Sequence, residues 1–152
     1  MCAYGQYCPT GSGTAQACTG GKYCDKYLLS AVTGDCTAGY FCTSIGSRYN
    51  IIPSDFSSNR GAICPIGKYC PTGTETPIDC PVGTYSMSTG LGLLGDCYTC
   101  PAGFFCDTLG LTDYTSKICP AGYYCPNGST SSTTNQCPIG YMCPAGSGDK
   151  VI

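Results

Sequence analysis

The sequence predicts a small disulfide-rich repeat array: an extended rod of short β-hairpins and turns, with little helix and no single large core. Three observations carry this. Sixteen of the 152 residues are Cys, and a Cys share above about 8–10% in a short chain marks a disulfide scaffold. Gly and Pro supply 22 and 11 residues, so turns dominate. One cysteine-framed pattern returns along the whole chain at steps of 16 to 28 residues, which is the mark of a repeat architecture.

The pattern is Cys-Pro-x-Gly-x-Tyr/Phe-Cys. Repeat 1 (2–17) opens on a loose copy, Cys2-Ala-Tyr-Gly-Gln-Tyr-Cys8, and repeat 2 (18–35) on Cys18-Thr-Gly-Gly-Lys-Tyr-Cys24. Repeat 3 (36–63) opens on Cys36-Thr-Ala-Gly-Tyr-Phe-Cys42 and carries a long insertion, 43–63. Repeat 4 (64–79) has the full form, Cys64-Pro-Ile-Gly-Lys-Tyr-Cys70. Repeat 5 (80–99) is the variant: Cys80-Pro-Val-Gly-Thr-Tyr-Ser86 closes on Ser, and an extra Cys97 follows. Repeats 6 (100–118) and 7 (119–136) restore the pattern with Cys100-Pro-Ala-Gly-Phe-Phe-Cys106 and Cys119-Pro-Ala-Gly-Tyr-Tyr-Cys125. Repeat 8 (137–152) opens on Cys137-Pro-Ile-Gly-Tyr-Met-Cys143, with Met142 in the aromatic slot, and reads as truncated.

Cys-Pro-x-Gly fits a type I turn with Pro at i+1 and Gly at i+3. The signal restarts at several closing cysteines, as in Cys8-Pro-Thr-Gly and Cys125-Pro-Asn-Gly. A ring two residues after the Gly is expected to lie over the disulfide as a miniature core. The competing reading is an exposed Tyr ladder. No segment keeps helical periodicity with conviction; 25–32 has room for a turn or two of helix.

Cys80-Pro-Val-Gly-Thr-Tyr-Ser86 through Cys97-Tyr-Thr-Cys100 resembles the ephrin-receptor-like cysteine-rich repeats, relatives of tumour-necrosis-factor-receptor modules. The remaining repeats move the pairing Cys to the position after the aromatic. That variant is similar to repeats found in tandem in large extracellular surface proteins. The resemblance implies architecture and leaves function open among receptors, adhesins and coats.

Three connectivities are compatible with the spacing. The favoured register closes each repeat on itself: Cys2–Cys8, Cys18–Cys24, Cys36–Cys42, Cys64–Cys70, Cys80–Cys97, Cys100–Cys106, Cys119–Cys125 and Cys137–Cys143. It uses every Cys and explains why Cys97 accompanies Ser86. A second register joins each closing Cys to the next opening one, and a third crosses pairs of repeats as receptor modules do. Closing a 7-residue loop contributes about 2.4 kcal/mol by chain entropy, and an 18-residue loop about 3.2.

Chemistry is sparse. With no His in the chain, the usual general base and commonest metal ligand are missing, and no catalytic residue, cofactor site or metal site is expected. Metal storage needs dense Cys-x-Cys runs, of which there are none, and a zinc ribbon needs two Cys-x-x-Cys knuckles against the one at Cys97 and Cys100. Sixteen thiols therefore read as disulfides, which places the chain outside the reducing cytosol. Net charge is −2 and only 11% of residues are charged; nucleic acid is not an expected partner, and near-neutral surfaces associate readily. No stretch approaches the roughly 20 apolar residues of a membrane span. No export signal precedes Cys2, so a fragment of a longer chain is expected.

Between repeats, the 43–63 insertion stands out. Arg48, Tyr49, Ile51, Ile52, Phe56 and Arg60 have the composition of an interface core and form the candidate interface; Gly90-Leu-Gly-Leu-Leu-Gly95 is a second, apolar candidate. Asn127-Gly-Ser129 is an N-glycosylation sequon in a turn, and the following Ser/Thr run has the chemistry for O-glycans. The expected function is structural: a stapled, glycosylated segment of an extracellular or cell-surface fibre, filament or coat, partnered by copies of itself or other surface proteins. The alternative is a ligand-binding or adhesive ectodomain of a receptor-like surface protein.

Overall fold

The computed structural model describes residues 2, 5–25, 27–43 and 61–152. The chain folds almost entirely as short antiparallel hairpins, one per repeat. β1 (Gln6–Tyr7) pairs with β2 (Gln16–Ala17), β3 (Lys22–Tyr23) with β4 (Gly34–Asp35), and β5 (Tyr40–Cys42) with β6 (Gly61–Ile63). β7 (Lys68–Tyr69) pairs with β8 (Ile78–Asp79), and β9 (Thr84–Tyr85) with β10 (Tyr98–Thr99). In the last three repeats the hairpin shrinks to a single bridge: Phe104 to Ile118, Tyr123 to Gln136 and Met142 to Val151. Strands of two or three residues cannot hold by themselves, so the disulfides must supply the stability.

Eight disulfides do so. They join Cys2–Cys8, Cys18–Cys24, Cys36–Cys42, Cys64–Cys70, Cys80–Cys97, Cys100–Cys106, Cys119–Cys125 and Cys137–Cys143. Eleven half-cystines are the largest fully buried side chains among the described residues. The core is thus a string of sulfur pairs with no large apolar centre.

The turn that starts each repeat sits one residue later than the sequence suggests. Its hydrogen bond runs from the residue after Gly to the residue after the opening Cys: Phe104 N–H donates to Pro101 C=O at 3.2 Å, and Tyr123 N–H to Pro120 C=O at 3.2 Å. Gly therefore occupies i+2, and Gly103 has φ +87°, the positive value a type II turn needs there. Pro serves as residue i and leads the chain in.

In one repeat the ring position also differs. In repeat 3 it is Tyr40 that packs against the Cys36–Cys42 pair, the residue directly after Gly39 and not the one beyond. Strand alternation gives the reason: Tyr40 and Cys42 are two apart in β5 and share a face, while Phe41 takes the other. Segment 25–32 forms bends where it is described, with no helix. The one helical turn among the described residues is a 3₁₀ turn, Leu94–Asp96, whose start is held by the Asp96 carboxylate accepting from Gly92 N–H and Leu93 N–H.

The chain divides into two units. One comprises Met1–Pro65, Tyr69–Ile78 and Thr89–Asp96; the other comprises Ile66–Lys68, Asp79–Ser88 and Cys97–Ile152. Both are built by the same four backbone hydrogen bonds between one repeat and the next. From repeat 6 to repeat 7, Gly103 N–H donates to Cys125 C=O, Cys119 N–H to Gly103 C=O, Cys106 N–H to Ser129 C=O and Gly128 N–H to Cys100 C=O, all at 2.8–2.9 Å. In the first unit, from repeat 3 to repeat 4, the same roles fall to Gly39 and Cys70, Cys64 and Gly39, Cys42 and Thr74, and Gly73 and Cys36. The opening Gly, the two cysteines and the second turn are all placed by backbone groups, which is why the linkers tolerate variation.

Candidate functional site

Among the described residues, an aromatic cluster stands out in the second unit. Tyr85 and Tyr98 face each other across the β9–β10 hairpin with ring centroids 5.6 Å apart. Tyr114 packs on Tyr85 at 4.5 Å and meets Phe104 edge-on at 5.0 Å. Four rings thus converge from repeats 5 and 6, in the separations where aromatic pairs attract. Burial, then the neighbouring Tyr114 and Tyr98, raise the Tyr85 hydroxyl above the ordinary tyrosine pKa. Downstream, Lys117 lies 5.6 Å from the Phe105 ring centroid and Lys150 lies 5.4 Å from that of Tyr124, within cation–π range.

Three ion pairs brace hairpins of their own repeats: Lys22 with Asp35, Lys68 with Asp79, and Lys117 with Asp107. The hydrogen bond from Lys117 is the main cause holding the Asp107 carboxyl below the ordinary aspartate value. Asp113 is lowered by the Thr115 backbone N–H and then its hydroxyl. All of these groups are exposed or half-exposed, and such pairs contribute about 0–1 kcal/mol each. Among the described residues, no group of three or more His, Cys, Asp or Glu is placed to hold a metal ion.

Asn127 sits at an exposed turn, and its side-chain oxygen accepts from Ala102 N–H at 2.8 Å, tying repeat 7 to repeat 6. Its amide nitrogen is the atom a glycan would take, so the hydrogen bond and a glycan use different ends of the side chain. Ser129 donates its hydroxyl to Pro126 C=O at 2.6 Å, closing the sequon into a turn. A shallow groove of about 230 Å³ runs beside it, lined by Asn127, Ser129, Thr130, Ser131, Thr134 and Asn135.

Arg48, Tyr49, Ile51, Ile52, Phe56 and Arg60 lie outside the described residues. The Gly90–Gly95 stretch is split in role: Leu91 is buried and its carbonyl accepts from Cys70 N–H, whereas Leu93 and Leu94 are exposed. The Tyr85, Tyr98, Phe104 and Tyr114 cluster was not legible in the sequence. Tyr114 lies in an unpatterned linker, and only the hairpin register and the step between repeats bring it to Tyr85.

Leu28 is a further feature hidden from pattern reading. It has φ +59° and donates its N–H to Cys2 C=O at 3.5 Å, the role that Gly73, Gly128 and Gly146 play elsewhere. A bulky residue in the left-handed region is strained.

The chain is 38% identical to Cysteine repeat modular protein A of Toxoplasma gondii over 129 residues, 79% of the chain. It spans about 3% of that relative's length. No family model matches the chain. The likeness, the eight disulfides and the recurring pattern establish cysteine-rich tandem repeats. No helix among the described residues is long and apolar enough to cross a membrane.

Proposed function

We propose that this chain is a non-catalytic structural segment of an extracellular fibre, filament or surface coat. The carrying observation is the backbone set that joins successive repeats from repeat 3 to repeat 8 on a frame of locally closed disulfides. A repeat built this way needs only its neighbours, so length follows copy number, and each staple resists unfolding without distant contacts. The disulfide count supports an oxidising, extracellular setting, and the relative's name describes a modular cysteine-repeat protein. The repeat-5 form, Cys80 paired with Cys97 across a Tyr85–Tyr98 hairpin, supports a relation to ephrin-receptor-like repeats. Asn127 carries an N-glycan in this reading.

Electron microscopy of the chain secreted from a eukaryotic host tests it. Filaments or lateral arrays are expected, with a glycopeptide at Asn127 by mass spectrometry. Uniform single particles that instead capture a soluble ligand in a saturable manner would favour the receptor-like alternative and overturn the structural reading.

A further inference from the structure

Asn127-Gly128 is the only Asn-Gly pair in the chain, and such a pair carries a reaction of its own. Glycine has no Cβ to shield its backbone nitrogen. That nitrogen, once it has lost its proton, attacks Cγ of the preceding asparagine. The N–Cγ bond forms, the Cγ–Nδ2 bond breaks, ammonia leaves and a succinimide ring closes. Water then opens the ring. Cleavage at Cγ gives aspartate, and cleavage at the backbone carbonyl gives iso-aspartate, whose main chain runs through the side chain. Water is the only co-reactant.

The fold grips both reacting groups. The attacking nitrogen, Gly128 N–H, donates to Cys100 C=O at 2.8 Å. The amide under attack is held by its oxygen, which accepts from Ala102 N–H at 2.8 Å. Between them the backbone is fixed in a turn: Ser129 N–H donates to Pro126 C=O at 3.1 Å, and Gly128 has φ +76°, the value that the third residue of a type II turn takes. Both anchoring groups, on Cys100 and Ala102, belong to repeat 6. The turn itself does not call for asparagine. Thr72 and Ala145 stand at the same place before Gly73 and Gly146, whose N–H groups make the equivalent bonds to Cys36 and Cys119, and neither has an amide to lose.

We propose that Asn127 is a spontaneous modification site, a succinimide-forming Asn-Gly pair that the junction between repeats 6 and 7 holds closed, so that conversion to aspartate and iso-aspartate proceeds only when that junction opens. The change is one-way. Iso-aspartate adds a carbon to the main chain just before Gly128, which displaces the N–H that Cys100 C=O receives and keeps the junction from closing again. The reaction also removes the amide nitrogen to which an N-glycan would be attached, so it belongs to copies whose Asn127 is bare. The inference does not rest on the fibre reading, and either can fail alone.

The test uses the chain made in a host without N-glycosylation and held at mildly alkaline pH, disulfide-intact in one sample and reduced and alkylated in the other. Peptide mapping by mass spectrometry reads the exchange of NH2 for OH at Asn127, and an isoaspartyl methyltransferase counts iso-aspartate. The reduced chain should convert at the rate of a short synthetic peptide that contains Pro126–Ser129. The intact chain should convert about tenfold more slowly or less, because the junction must first open and both bonds must break. Ala102→Pro removes the N–H that Asn127 accepts, at a second turn position where Pro is favoured; with its disulfide map unchanged, this variant should convert faster than the intact parent. The comparison of intact with reduced parent needs no variant to fold. An intact chain that converts as fast as the reduced one overturns the proposal, as does a reduced chain in which Asn127 stays inert. An Ala102→Pro chain that keeps its disulfide map and converts no faster than the parent overturns the part given to Ala102.

Discussion

Replacing Gly103 by Ala tests whether alternate repeats are held by close backbone approach. A Cβ on Gly103 would stand 2.4 Å from the Gly146 carbonyl oxygen and 3.3 Å from its carbon. Backbone cannot swing aside as a side chain does. Gly146 N–H is bonded to Cys119 C=O at 2.8 Å, and the next residue, Ser147, donates to Pro144 C=O at 3.1 Å. Moving the carbonyl strains both bonds, at about 0.5–1.5 kcal/mol each. The positive φ adds about 1–2 kcal/mol for any L-residue.

Gly140→Ala is the matched control. Gly140 has φ +90° and open space around its missing Cβ, so it feels the backbone penalty alone. The difference between the two variants is then about 1–3 kcal/mol, or several degrees of melting temperature for a chain of this size. The assay is thermal unfolding of the oxidised chain, followed by tyrosine signals because there are 13 Tyr and no Trp. Equal midpoints for the two variants would refute the close-approach argument.

Four other outcomes follow from the same geometry. Cys97→Ser alone should lower stability by about 3 kcal/mol, whereas adding Ser86→Cys should restore eight disulfides, read by mapping of non-reduced digests, since position 86 already occupies the closing site. Leu28→Gly relieves left-handed strain of about 1–2 kcal/mol against about 0.5–1 for the added chain freedom, and a raised melting temperature is expected. Tyr85 has a folded pKa above its unfolded one, so its contribution is full below the ordinary tyrosine value and is lost as pH rises through the raised value; in alkaline absorbance titration, Tyr85→Phe should remove a phenol that ionises above the ordinary tyrosine value. Asp107 is lowered instead, so its contribution is present above the ordinary aspartate value and is lost as pH falls through the lowered one. Asp107→Asn should flatten the acid limb of stability by less than about 1 kcal/mol, given its exposure.

Architecture was legible because each element is written within seven residues. Cys, Pro, Gly, ring and Cys recur at fixed offsets, and local patterns of that kind specify local hairpins. The turn register escaped by one residue, since Pro and Gly two apart suit two different turns and only the hydrogen bond from Phe104 to Pro101 decides between them. What the sequence hides is anything made between repeats. Tyr114 joins Tyr85 because of the step from repeat 5 to repeat 6, and Leu28 fills a glycine role because of where Cys2 C=O points. Neither is a motif, so no spacing rule could find them.

Ser86 shows which part of the repeat is indispensable. It has lost the sulfur, yet its carbonyl accepts from Gly67 N–H at 3.0 Å and its N–H donates to Leu111 C=O at 2.9 Å, as closing cysteines do. It is fully buried, and its hydroxyl bonds Ser88 C=O at 3.0 Å in place of a disulfide. The staple has moved to Cys97 while the backbone junction stayed. Joining repeats is therefore the task of the main chain, and the disulfide only closes the loop that presents it. That division permits a cysteine to migrate along a repeat without breaking the array.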